Sequence, residues 1–164
     1  VLSHIAKTFN VNPDWLLKGE GSMFNSNAKL VDTIDVPVVA KVGAGYPVEQ
    51  GDVEIRRYIT IKADESLPKK IFAVEVQGAS MEPTLYEDDV VIAKPFFGNP
   101  FEIPNGKIII VKNQYGELLI KRLKKLSDDT LVFASDNPSY EPIIPNSEHA
   151  VVGIALNVVK VVKL

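Results

Sequence analysis

The sequence predicts a mainly β chain, with short strands in a barrel-like or sandwich arrangement behind a short helical segment. Three observations predict it. Apolar runs rich in β-branched residues recur at 36–42, 53–61, 71–77, 89–93, 107–112, 117–124, 130–134 and 150–163. Clusters of Gly, Pro, Asn and Asp separate them: Gly43–Gly45, Asn99-Pro100, Pro104-Asn105-Gly106, Asn113–Gly116, Ser127–Asp129 and Asp136–Pro138. After residue 36 no helical periodicity runs longer than a turn or two.

The elements follow in order. In residues 1–24, Leu2, Ile5, Ala6 and Phe9 recur at helical spacing. Asn12-Pro13 then supplies a cap with proline at the first helical position, and Asp14 adds negative charge to that turn. Trp15, Leu16 and Leu17 are expected on the buried side of this second short helix, which Gly19 and Gly21 stop. Two short helices cannot bury that surface alone, so residues 1–24 are expected to be the tail of a small helical domain. The start at Val1 agrees with a piece of something longer. Residues 25–35 begin with Asn25, Ser26 and Asn27 and suit a linker. The β domain is expected over 36–164.

Composition narrows the function. Apolar residues make up 46 % of the 164, enough for a normal core, and the net charge of −3 does not draw the chain to phosphate backbones or anionic lipid. With no cysteine there are no disulfides, thiolate zinc sites, iron–sulfur clusters or thiol nucleophiles, which fits a reducing, cytoplasmic setting. No run of about 18 apolar residues and no basic-then-apolar leader is visible, so neither a membrane partner nor secretion is expected. Glu87, Asp88 and Asp89 read as an acidic hairpin turn, since no histidine or further acid is spaced to complete a metal shell. No metal or cofactor is expected.

Three features carry chemistry. In Ile71–Leu85 an alternating strand ends at Gly78, and Ser80 follows where the chain would turn into a short helix begun near Glu82-Pro83. Ser80 is either the N-cap of that helix or a hydroxyl presented as a nucleophile beside backbone N–H groups. In Glu117–Lys124 a period of two sets Lys121 between Leu119 and Leu123 on the core-side face, with Arg122 and Lys124 opposite and free to end in water. Lys121 either snorkels to solvent or, stripped of hydration, becomes a general base at neutral pH. Val42-Gly43-Ala44-Gly45-Tyr46-Pro47 is either an inter-strand loop or a slim segment able to enter a cleft.

His4 and His149 are the only histidines, and neither has an acid spaced to complete a triad, so a Ser–Lys pair is the better expectation. Lys121, Arg122, Lys124 and Lys125 form a basic cluster that in an acidic chain reads as a solvated strand end.

Together these residues resemble a known family. Gly78-Ala79-Ser80-Met81-Glu82-Pro83-Thr84-Leu85, followed by Asp88-Asp89 and Val90–Ala93, is similar to the nucleophile region of LexA-like peptidases. These are the carboxy-terminal domains of LexA, of phage repressors of the cI kind, and of the UmuD mutagenesis proteins. Ile120-Lys121-Arg122-Leu123 is similar to the segment with the family's general-base lysine, and Val42–Pro47 resembles its self-cleavage loop. The three occur in the family's order, within a similarity running from about Val36 to Val162.

The resemblance implies Ser80 as nucleophile, Lys121 as base, Ala44–Gly45 as the bond cut in the same chain, and the N–H groups of Ala79 and Ser80 as oxyanion donors. It also implies a homodimer made by the β domain, and a RecA filament that promotes cleavage in an SOS response. Residues 1–24 are similar to the last helices of the helix-turn-helix domains of phage-type repressors. The expected whole is thus a transcriptional repressor that meets operator DNA through the absent part of that domain and is relieved by self-cleavage. Two other readings stand beside it. One is a cleavage-inactive module that dimerises or binds a partner or ligand. The other is a signal-peptidase-like Ser–Lys protease, whose motif shares the form SMEPTL.

Overall fold

The computed structural model describes residues 32–42, 53–162 and 164, together with Leu17 and Lys18. Eight strands form over the eight apolar runs: β1 Thr33–Val42, β2 Val53–Lys62, β3 Phe72–Glu75, β4 Val90–Pro95, β5 Ile108–Lys112, β6 Leu118–Lys125, β7 Leu131–Ala134 and β8 Ala150–Val159. The expected mainly β class takes the form of one mixed sheet in the order β2-β1-β3-β4-β8-β5-β6-β7. β1 joins β3 in parallel through Val38 and Ala73, whereas β3–β4, β4–β8, β8–β5, β5–β6 and β6–β7 are antiparallel.

Burial on both faces explains why the central strands read as unbroken apolar runs. In β4, Val90 and Ile92 pack with Val36, Val38 and Ala73 on one side, while Val91 and Ala93 pack with Phe72, Val74, Met81 and Leu85 on the other. In β5, Ile110 joins that second cluster, while Ile109 and Val111 join Leu123, Leu131 and Phe133 in a third. β2 lies at the sheet edge and is largely exposed, with Tyr58 open to solvent.

Two strand ends depart from the apolar runs by more than two residues, each for a physical reason. β1 begins at Thr33, inside the stretch read as linker, because Ile34 packs on the core while the Asp35 carboxylate accepts a 2.6 Å hydrogen bond from Thr60 of β2. β8 stops at Val159 rather than 163, because Lys160 and Val161 turn to the Asp89 carboxylate.

The chain divides into two compact units, Val1–Thr33 and Ile34–Leu164. In the first, Leu17 and Lys18 are helical and exposed, which corrects the expectation that Leu17 is buried. Consecutive helical residues are about 100° apart, so Trp15, Leu16 and Leu17 cannot all share one face. The rest of the expected 1–24 helices, including His4, lies outside the described residues.

In the second unit the one helical element among the described residues is a single 3-10 turn, Pro100–Glu102, capped by the Asn99 side chain accepting from the Phe101 N–H at 3.0 Å. Among the described residues no helix is long and apolar enough to cross a membrane.

Candidate active site

The loop between β3 and β4 carries Ser80. Gly78 holds φ at +74°, a backbone conformation that L side chains rarely adopt, and an added Cβ would meet nothing within 4 Å. Its role is therefore conformational rather than spatial. Beyond it the chain forms successive turns, with Glu82 N–H bonded to Ala79 O at 3.2 Å and Leu85 N–H to Met81 O at 2.9 Å. The expected short helix is absent here. Pro83 has no N–H to donate, and Met81 and Leu85 are both drawn into the core. The Glu82–Pro83 peptide is cis. Ser80 is partly buried, and it does not cap a helix.

Asp89 anchors the far end of this loop. Its carboxylate is buried and accepts from Tyr86 N–H at 2.9 Å, Lys160 Nζ at 2.7 Å and Val161 N–H at 3.3 Å. Burial alone would raise its pKa, but the Lys160 ammonium and the two N–H groups outweigh it and hold the carboxyl below the usual range. Lys160 also bonds Thr84 O at 2.8 Å and lies 5.6 Å from the centre of the Tyr86 ring.

Lys121 lies on β6 as the period of two predicted, on the face of Leu119 and Leu123, with only 8 % of it exposed. It does not snorkel. Across the sheet its neighbour on β5 is the fully buried Ile109. Removal of water from the ammonium pushes its pKa below the ordinary lysine value. Among the described residues its one hydrogen bond is from Nζ to Ser135 Oγ, at 3.0 Å.

Arg122 departs from the expectation of ending in water. Its guanidinium donates to both oxygens of Asp136 and to Gly106 O, each at 2.7 Å. Lys125 Nζ bonds Phe101 O at 2.6 Å, so the basic cluster is dispersed among separate partners and only Lys124 stands open. His149 Nδ1 lies 2.9 Å from Asn146 Oδ1 in the turn before β8.

What the sequence did not signal is the segment Ser135-Asp136-Asn137, which follows β7. A pair of hydrogen bonds between Phe133 and Ile143 closes the base of its loop. Ser135 holds Lys121. Asp136 holds Arg122 and accepts from Thr84 Oγ1 at 2.5 Å. Asn137 donates its N–H to Ser80 O at 3.0 Å and its amide Nδ2 to Ala79 O at 2.9 Å.

Three consecutive residues thus bind the serine loop to the lysine strand. In a trans peptide the carbonyl and the next N–H point in opposite directions. Fixing Ala79 O therefore aims the Ser80 N–H away from Asn137. Ala44 and Gly45 lie outside the described residues, between the end of β1 and the start of β2. A cleft of about 240 Å³ is lined by Val38 and Val74, by Gln77 next to the serine loop, and by Leu118 and Leu119 just before Lys121.

Residues 37–156 match the Peptidase S24-like family. The chain is 30 % identical to the LexA repressor of Pelagibacter ubique over 123 residues, covering 74 % of this chain and 52 % of that protein. It is 31 % identical to the LexA repressor of Bacillus subtilis over 114 residues, covering 68 % and 52 % respectively. Against the LexA repressor of Carboxydothermus hydrogenoformans it is 28 % identical over 134 residues, covering 79 % and 61 %. The chain therefore spans little more than half the length of these relatives. By the extent of the family match, this chain belongs to the Peptidase S24-like family.

Proposed function

We propose that this is the regulatory domain of a phage-like transcriptional repressor, which cuts its own Ala44–Gly45 bond with a Ser80–Lys121 dyad. The observation that carries the reading is the desolvated Lys121, tied through Ser135 and Asn137 to the loop of Ser80. Neutral Lys121 takes the Ser80 proton as Oγ attacks the Ala44 carbonyl carbon, and the Ala79 and Ser80 N–H groups receive the oxyanion. Collapse breaks the C–N bond, and the Lys121 ammonium returns the proton to the Gly45 nitrogen. Water, deprotonated by Lys121, then attacks the Ser80 ester; the acyl C–O bond breaks, the Lys121 ammonium returns the proton to Ser80 Oγ, and Ala44 leaves as a carboxylate.

Because the loop belongs to the same chain, attack is effectively unimolecular and the rate is set by docking of the loop. The β domain makes the homodimer, and the cut separates it from the DNA-reading domain. Operator binding is then lost with the effective concentration that dimerisation supplied. A RecA filament favours the docked loop.

Intact-mass analysis of the purified chain at neutral and alkaline pH, beside Ser80→Ala and Lys121→Ala, tests this. The expected result is a cut after Ala44 that quickens with pH, as Lys121 loses its proton, and is absent from both variants. A wild-type chain left whole at every pH, with activated RecA present, overturns the peptidase reading in favour of a dimerisation module.

A further inference from the structure

The hydrogen bond between Lys121 and Ser135 has a geometry that a surface lysine would not need. β6 and β7 pair Arg122 with Ala134 and Leu123 with Phe133, and the same register carried one pair further sets Ser135 opposite Lys121. On its own face Lys121 otherwise meets Leu119, Leu123 and, across β5, Ile109, which have no side-chain acceptor. The nearby Asp136 carboxylate is engaged by Arg122 and Thr84, so among the described residues no carboxylate answers the ammonium. Among the described residues the one polar side chain bonded to Nζ is the Ser135 hydroxyl, at 3.0 Å.

A neutral amine has one lone pair and two N–H bonds, and only the lone pair can take a proton. Left among leucines, it would rotate freely about the Cε–Nζ bond. A fixed acceptor on one N–H limits that rotation and leaves the lone pair for another donor.

We propose that Ser135 is the positioning residue of the dyad, accepting a hydrogen bond from Lys121 Nζ so that the amine's lone pair faces the Ser80 hydroxyl. The inference rests on the Ser80–Lys121 reading above and adds a third side chain to it. Asn137, two residues on, fixes the peptide that carries the Ser80 N–H. One short loop therefore sets the orientation of both the base and the nucleophile's turn.

The test compares self-cleavage of the whole chain across pH for wild type, Ser135→Ala, Ser135→Thr, Ser80→Ala and Lys121→Ala. Alongside it, Lys121 is titrated by NMR of lysine labelled with carbon-13 at Cε, in a Ser80→Ala background. Ser135→Ala is expected to lower the alkaline plateau by about ten- to a hundredfold, as loss of orientation does. It should also move the Lys121 midpoint further down, because a hydroxyl acceptor favours the ammonium. Ser135→Thr, which keeps the hydroxyl, is expected to restore both.

Wild-type rate and an unmoved midpoint in Ser135→Ala overturn the proposal while leaving the dyad intact. Cleavage that survives Ser80→Ala but is abolished by Ser135→Ala makes Ser135 the nucleophile and overturns it equally. A wild-type chain that never cuts overturns the dyad itself, and with it any orienting role in catalysis.

Discussion

The Asp136 carboxylate meets the Arg122 guanidinium with both oxygens engaged, Oδ1 at 2.7 Å from Nε and Oδ2 at 2.7 Å from Nη2, and both side chains are largely shielded from solvent. The hydrogen bonds from Arg122 hold the Asp136 carboxyl below the usual carboxylate range, against the opposing effect of burial. The fork-to-fork geometry makes this pair stronger than a surface ion pair. Since Oδ2 also accepts from Thr84, the pair ties β6 to the loop of Ser80.

Asp136→Ala is expected to destabilise the domain by about 2–4 kcal/mol, since it leaves a partly buried guanidinium without its partner. A urea-unfolding cycle with Arg122→Met and the double variant should give a coupling of roughly 1–3 kcal/mol. Additive effects would show that the pair contributes nothing beyond its separate members.

Lys121 weakens the fold that it serves. Its folded pKa lies below the unfolded value, so between the two the unfolded chain holds more protons and stability rises with pH. Lys121→Met, made in a Ser80→Ala background to prevent cutting, is expected to stabilise the domain at pH 7 by on the order of 1 kcal/mol. The gain should shrink as pH climbs toward the ordinary lysine value of about 10.4. Urea midpoints at pH 7 and pH 10 check it, and an equal gain at both would refute the desolvation account.

For Asp89 the sign is reversed. Its folded pKa is lowered, so its stabilising contribution is present above the unfolded value of about 3.9 and is lost as pH falls through the folded one. Asp89→Asn should cost about 1–3 kcal/mol at pH 7, because it removes the charge facing the Lys160 ammonium. The difference from wild type should narrow below pH 4, as thermal melts across pH would record.

Gly153 lies in the middle of the sheet, on β8 between Pro95 and Ile110. A Cβ there would come within 2.7 Å of the Phe72 ring, which is buried. Gly153→Ala is expected to lower stability by about 1–3 kcal/mol, the usual effect of overpacking. An unchanged melting temperature would mean that the ring can shift.

The eight strands were legible because each is marked by its own composition and by the turn residues on either side. Lys121 was legible for a similar reason: a period of two over Glu117–Lys124 suffices to show a cation among leucines. The order of the strands was not, since β8 pairs with β4 and β5 from across the chain and no local pattern records that. Nor was the role of Ser135-Asp136-Asn137. Asp136–Pro138 read only as turn punctuation, yet Asp136 meets Thr84 from 52 positions away and Asn137 meets Ala79 from 58. The missing helix after Ser80 has the same origin, because the pull of Met81 and Leu85 into a distant core outweighed the local cap signal.

β8 is the last of the described strands, yet it occupies the middle of the sheet. On one flank stand β2, β1, β3 and β4, which carry the loop of Ser80; on the other stand β5, β6 and β7, which carry Lys121. As the chain leaves the ribosome, these two groups of strands exist before the strand that lies between them. Within the sheet, the flank of the proposed nucleophile and the flank of the proposed base are joined through residues 150–159. On the proposed reading, a chain with this order of strands gains the strand that joins its two flanks only after both flanks have been made.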